Sequence, residues 1–131
     1  MKKNKHEKIK VIWRFLDGKA GRDILTGKGG GDKFVYRSID DSGVTKSTRD
    51  VITDFDGTRS DVIDLSKIDA YTAKSGNQTF VYIGSDSFSG TRAEVRFEFS
   101  ILGVNTGIDT KADMQIKLNG VTDFSAEYLI L

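Results

Sequence analysis

Glycine and aspartate recur at fixed spacing in the stretch 16–34, and they are the residues of this sequence best suited to chemistry. Read in nines, the stretch gives two units, LDGKAGRDI at 16–24 and LTGKGGGDK at 25–33. Both units place glycines and one aspartate at the same positions. Glycine permits the left-handed backbone of a tight turn, and turn carbonyls with a carboxylate form an all-oxygen site for a hard cation. The pattern therefore predicts binding of calcium ions (Ca2+).

The repeat also predicts the fold. Units of this kind are typical of a parallel β-roll, in which each unit is a short strand with a tight turn and two units complete one coil. The two units make about one coil, which buries too little apolar surface to be stable alone. We therefore predict an all-β fold, a short parallel β-roll capped by a mainly antiparallel β-sandwich.

Length and charge set the domain boundaries. A chain of 131 residues is one domain by size. Its first ten residues carry five lysines against one glutamate, which predicts a basic, disordered tail at 1–10. We expect a single domain at 11–131, with the β-roll at 11–50 and the antiparallel cap at 51–131.

Short apolar runs predict the strands of the cap. Between the first two runs, the Asp56-Gly57 pair is a strong turn signal. Strict alternation in the fourth run places Phe99 on its buried face. The last run is expected to end the chain inside the sheet. The runs lie at 51–55, 62–65, 80–83, 95–101, 114–118 and 128–131.

Four aspartates are the predicted carboxylate ligands. An ion in a β-roll lies between turns one coil apart, which is two nine-residue units. Asp41 follows Asp23 at that distance, and Asp50 follows Asp32, so we expect each pair to serve one face of the roll. The alternative is that these are turn glycines with solvated aspartate caps. The predicted carbonyl ligands are those of Gly18, Lys19, Ala20, Gly21, Gly27, Lys28, Gly29 and Gly30.

A second stretch, 105–113, is similar to an eroded EF-hand loop. Its first ligand position is Asn105, the third is Gly107, and Thr110 replaces the turn glycine. Few oxygen ligands remain. We favour a hairpin loop that precedes the Met114 strand.

Motifs for catalysis are missing from the sequence. The only histidine is His6, and Lys10 stands where the zinc motif H-E-x-x-H needs its second ligand. There is no cysteine, and no serine elbow appears. No apolar run approaches about 18 residues, so we expect no stable membrane insertion. The lysine tail could attract nucleic acid, but a solvated end is the simpler interpretation.

The two units resemble the GGxGxDxUx nonapeptides of RTX proteins. The sequence after them resembles the C-terminal domain of serralysin-type (M10) metalloproteases, over roughly residues 14 to 131. Lys19 and Lys28 depart from the family pattern, which has glycine there, and the positive charges weaken the expected affinity. The resemblance rests on DKFVYRS at 32–38, DVITDF at 50–55, VIDLS at 62–66, FVYIG at 80–84, FSG at 88–90, QIKLNGV at 115–121 and FSAEYLIL at 124–131.

The resemblance implies a function. It indicates a non-catalytic calcium-binding module that folds when calcium is present and passes through a type I secretion exporter by its C-terminus. The expected location is extracellular, in a bacterial secreted protein, and this domain would be the C-terminal part of a larger enzyme. We expect a monomer that binds no nucleic acid. The alternative is a polysaccharide-binding module of the kind found in alginate epimerases.

Overall fold

The computed structural model describes residues 24–26, 31–68, 79–107 and 109–131. Within these ranges the chain is all-β, as predicted, and its only helical segments are single 3₁₀ turns at Ile39–Asp41, Gly57–Arg59 and Ala126–Tyr128. The strands are β1 (Ile24–Leu25), β2 (Lys33–Val35), β3 (Asp50–Ile52), β4 (Val62–Asp64), β5 (Val81–Tyr82), β6 (Glu94–Glu98), β7 (Ile101–Asn105), β8 (Met114–Leu118) and β9 (Leu129–Ile130).

The strands form two sheets. One has six strands in the order β1-β3-β8-β7-β6-β5, and the other has three in the order β2-β4-β9. The first four strands alternate between the sheets along the chain. Within each sheet they pair in parallel, β1 with β3 and β2 with β4. The chain therefore winds from one sheet to the other and back.

Antiparallel pairing is confined to one part of the larger sheet. β6, β7 and β8 form an antiparallel meander. By contrast, β3 pairs with β8, β4 with β9 and β5 with β6 in parallel. The predicted antiparallel pairing is thus found in the meander, and the neighbouring strands extend it by parallel pairing.

A single hydrophobic cluster joins the two sheets. Apolar residues on alternate positions of the strands supply it, and Phe34, Ile52, Ile63, Ile116 and Leu118 are each fully buried. Burial of such side chains is the main favourable contribution to folding, at roughly 1.5–3 kcal/mol each. The core therefore rests on pairs of strands that are far apart in sequence.

Aromatic rings extend the core beside the C-terminal 3₁₀ turn. Phe124 stacks on Phe97 with ring centroids 4.9 Å apart, and on Phe55 at 5.9 Å. Tyr128 meets Phe124 edge-on at 5.3 Å. Such pairs contribute about 0.5–1.5 kcal/mol beyond their buried area. The last residues of the chain are therefore part of the folded core.

The sequence prediction for Phe99 is wrong. β6 ends at Glu98 and β7 begins at Ile101, which pair with each other, so Phe99 and Ser100 are the turn of a hairpin. Phe99 is 83% exposed, and both turn residues have positive φ, 54° and 63°. Two-residue hairpins favour this backbone because its twist matches that of the strands. Hairpin geometry therefore overrides the alternating pattern.

The turn after β3 also differs from a simple hairpin. Asp56 caps the 3₁₀ turn Gly57–Arg59 by accepting the Thr58 N–H at 3.0 Å. The chain leaves this turn into β4, which belongs to the other sheet. The Asp-Gly signal thus marks a turn correctly, but the turn carries the chain between sheets.

Two further strand predictions have different outcomes. The last run is confirmed as a strand, because β9 pairs with β4. The run at 80–83 is only partly buried, since Val81 is 39% exposed on the edge strand β5. In the part of the chain that the structure describes, no helix is long and apolar enough to span a bilayer.

Candidate metal centre

The predicted ligands divide into two groups. Asp32, Asp41 and Asp50 lie within the described residues. The others lie outside them, so their contacts are not part of this description. These are Gly18, Lys19, Ala20, Gly21, Asp23, Gly27, Lys28, Gly29 and Gly30.

Asp32 comes immediately before β2 and is 1% exposed. Its backbone N–H donates to Oδ1 of Asp61 at 2.8 Å, and its carbonyl accepts the Val62 N–H at 2.9 Å. Oδ2 of Asp61 accepts the Asp56 N–H at 2.9 Å. One carboxylate therefore ties the start of β2 to the turn that precedes β4.

Asp50 is the first residue of β3 and is fully buried. The Tyr36 hydroxyl donates to its Oδ2 at 3.0 Å, and the Asp50 N–H donates to Oγ of Ser42 at 2.8 Å. Ser42 in turn donates to the Gln115 carbonyl on β8. A buried carboxylate is costly unless donors surround it. These contacts fix its position relative to the C-terminal meander.

Asp41 has a local structural role. Its Oδ2 accepts the backbone N–H groups of Arg37 at 2.8 Å and Ser38 at 3.2 Å, forming a capping box with Ser38. Burial raises the pKa of Asp41 above its ordinary value, against the opposing effect of the two amide hydrogen bonds. This oxygen is therefore already engaged in holding the 3₁₀ turn.

The strand register corrects the predicted offset of one coil. Ile24 pairs with Val51, 27 positions later, and Lys33 pairs with Val62, 29 positions later. The offset is longer because the chain between β2 and β3 adds a 3₁₀ turn and a second turn at 45–48. Asp32 consequently lies beside Asp61, and not beside Asp50, in the strand pairing.

Asp61 is the main site residue that sequence reasoning missed. A signal for it exists, because the triplet Asp-Val-Ile occurs at 50–52 and again at 61–63. In both copies the last two residues lie in a strand that pairs in parallel, β3 and β4. Asp61 is 3% exposed, and Asp64, at the end of β4, is 4% exposed.

The loop 105–113 is organised by its own hydrogen bonds. The Asn105 amide donates to the carbonyls of Asp109 and Lys111, and its Oδ1 accepts the Gly107 N–H. Asp113 accepts from both the N–H and the hydroxyl of Thr106. The hairpin interpretation is confirmed, with the loop joining β7 to β8. The loop satisfies its polar groups without an ion.

The described aspartates do not make a complete metal site by themselves. Among residues 24–26, 31–68, 79–107 and 109–131, no three His, Cys, Asp or Glu side chains come together as a group able to hold a metal ion. A site that uses Asp32 or Asp50 would therefore need carbonyl oxygens as well, which calcium accepts readily.

Fold and site together define a class: a small all-β module with buried aspartates at the starts of parallel strands. Residues 7–130 match the family model described as Peptidase M10 serralysin C terminal. Because the match covers nearly the whole chain, the protein belongs to this family, and the predicted resemblance is confirmed. A search of curated proteins gave no match.

The family sets the general class of function. It comprises the non-catalytic C-terminal domain of M10 proteases, a tail associated with RTX repeats and secretion. Its members come from secreted proteins.

Proposed function

We propose that this domain is a non-catalytic calcium-binding RTX module that couples folding to calcium during type I secretion of an extracellular bacterial protein. The observation that carries the proposal is the burial of Asp32 and Asp50, which are 1% and 0% exposed at the starts of strands in the two sheets. Ionised carboxylates are rarely buried unless a cation or several donors compensate them. A bound divalent cation supplies that compensation.

The donor set fits calcium to different degrees. Asp32 and Asp50 offer hard carboxylate oxygens, and Asp32 directly follows a glycine-rich stretch of sequence. Asp41 fits less well, because its Oδ2 already accepts two backbone N–H groups. In this proposal Asp23 and the turn carbonyls predicted above complete the coordination. Calcium, when bound, supplies charge neutralisation and no redox chemistry.

The strand order supports a β-roll. β1 to β4 alternate between two sheets and pair in parallel, as successive half-coils of a roll do. We propose that 11–50 form this roll, that 51–131 cap it as a sandwich, and that 1–10 are a basic tail. The meander of β6, β7 and β8 gives the cap its antiparallel part.

Coupling of calcium to folding follows from mass action. At low calcium, clustered carboxylates repel one another and oppose closure of the turns. When calcium binds only the folded state, its binding free energy adds to folding. At a free concentration of about 100 times Kd, each site contributes about 2.7 kcal/mol. This is a large share of the 5–15 kcal/mol typical of a whole domain.

The secretion role rests on the family and on the C-terminus. We propose that the type I exporter engages the C-terminal segment while the chain is unfolded, and that the segment folds outside the cell. In the folded state this segment is committed to the core, because Leu129 is buried and Ile63 pairs with it. Exporter binding and folding of the segment would therefore exclude each other.

The test is thermal unfolding of the full chain in millimolar calcium and in EGTA, followed by circular dichroism. We expect calcium to raise the melting temperature and Asp32→Asn to reduce that rise. Asp123→Asn, which removes an exposed carboxylate, serves as the control. Identical melting curves in calcium and EGTA would refute the proposal.

A further inference from the structure

A cleft lies on the outer face of the six-stranded sheet, at the end formed by β1, β3 and β8. Its volume is about 440 Å³, within the range of small-ligand sites. Ile24, Val51 and Lys117 form one row across its floor, since Ile24 pairs with Val51 and Val51 with Lys117. Ile24 is 57% exposed. The strands thus provide a rigid, partly apolar floor.

The charge of the cleft is opposite to that of the surrounding domain. Lys46, Arg49 and Lys117 line it, and the described residues of its lining include no carboxylate. After the first ten residues, the chain carries 15 Lys and Arg against 18 Asp and Glu. Three cations in one cleft are therefore a local concentration of positive charge on a mildly acidic domain. Such a cleft attracts anions.

Two of the three cations are held in place by the fold. Arg49 Nε donates to Oε1 of Gln115 at 3.0 Å. Lys117 lies in β8, which is paired on both sides, with β3 and with β7. The Lys117 side chain forms no ion pair with a described residue, and the Asn119 side chain beside it forms no hydrogen bond with one. Cationic and amide donors are thus presented together on a rigid strand.

We propose that this cleft binds a carbohydrate that carries carboxylates, of the oligouronate type. The cations match carboxylates, while Thr53 and Asn119 in the lining match hydroxyl groups. The described lining has no aromatic side chain, so it lacks the stacking platform that single-stranded nucleic acids use. A recessed cleft also suits a small ligand better than the flat surface of a membrane.

The experiment titrates trigalacturonate into the full chain at one fixed excess of calcium, and measures Kd by calorimetry. Lys117→Gln is expected to weaken binding about tenfold, the loss of one charge-assisted hydrogen bond. Lys111→Gln removes the same charge from the exposed loop between β7 and β8 and is expected to leave Kd unchanged. Circular dichroism confirms that both variants fold.

Three further titrants decide the ligand class. Maltotriose, which has hydroxyls but no carboxylates, is expected not to bind. If sodium sulfate binds as tightly as trigalacturonate, the cleft is a site for an adventitious ion only. If triglutamate binds equally well, the carbohydrate assignment fails. Absence of trigalacturonate binding, or equal weakening by both lysine variants, also overturns the proposal. Because calcium is constant, the EGTA test of folding is independent of these outcomes.

Discussion

Asp61→Ala is expected to destabilise the domain strongly. The Asp61 carboxylate is 3% exposed and accepts two backbone N–H groups, from Asp32 at 2.8 Å and Asp56 at 2.9 Å. The substitution removes both acceptors and leaves the two amides without this partner. Hydrogen bonds to a charged group contribute about 1.5–3 kcal/mol each. The two are not strictly additive, so we expect a loss of about 3–5 kcal/mol.

The assay is urea unfolding of the full chain in saturating calcium, with the free energy obtained by linear extrapolation. Asp61→Asn provides a graded comparison, because the amide keeps one acceptor oxygen, and we expect roughly half the loss. Asp123→Ala removes an exposed carboxylate and is expected to change stability by less than about 0.5 kcal/mol.

The reasoning would be refuted by an Asp61→Ala loss no larger than that of the Asp123 control. It would also be refuted if Asp61→Asn and Asp61→Ala were equally harmful, since the retained acceptor would then contribute nothing. A changed m-value would instead show that the variant alters the surface exposed on unfolding, and the comparison would then use thermal midpoints.

Three other substitutions test separate parts of the structure. Phe99→Asn is expected to stabilise the hairpin by about 1 kcal/mol in urea unfolding, because asparagine tolerates positive φ better than phenylalanine; a loss would show that the exposed ring makes a stabilising contact. Glu94→Gln is expected to reduce the dependence of stability on acid pH. Burial raises the pKa of Glu94, but hydrogen bonds from Ser89 and Arg92 outweigh it and the pKa is lowered below 4.5. The stability is therefore present above that value and lost as pH falls through the folded-state pKa, so unchanged melting curves between pH 3 and 6 would contradict this, with the pH range taken as about one to two units around the ordinary pKa. Gly107→Ala is expected to lower the melting temperature, because φ is +93° and a Cβ would lie 2.9 Å from the Arg92 carbonyl carbon; an unchanged midpoint would show that the loop can shift.

The sequence by itself determined the fold class and the family. Short apolar runs separated by turn residues predict strands because both depend on neighbours along the chain. The family resemblance in 32–38, 50–55 and 124–131 likewise needs only residue order. The strand at the C-terminus could be predicted because its apolar residues are contiguous.

The tertiary structure alone decided which strands pair and which aspartates meet. The contact between Asp32 and Asp61 depends on a parallel register with an offset of 29 positions, set by the length and shape of the loop between β2 and β3. Local patterns carry no information on that length, because loop residues make few contacts that fix a period. Phe99 shows the same limit, since pairing of Glu98 with Ile101 forces a turn where alternation alone predicts a strand.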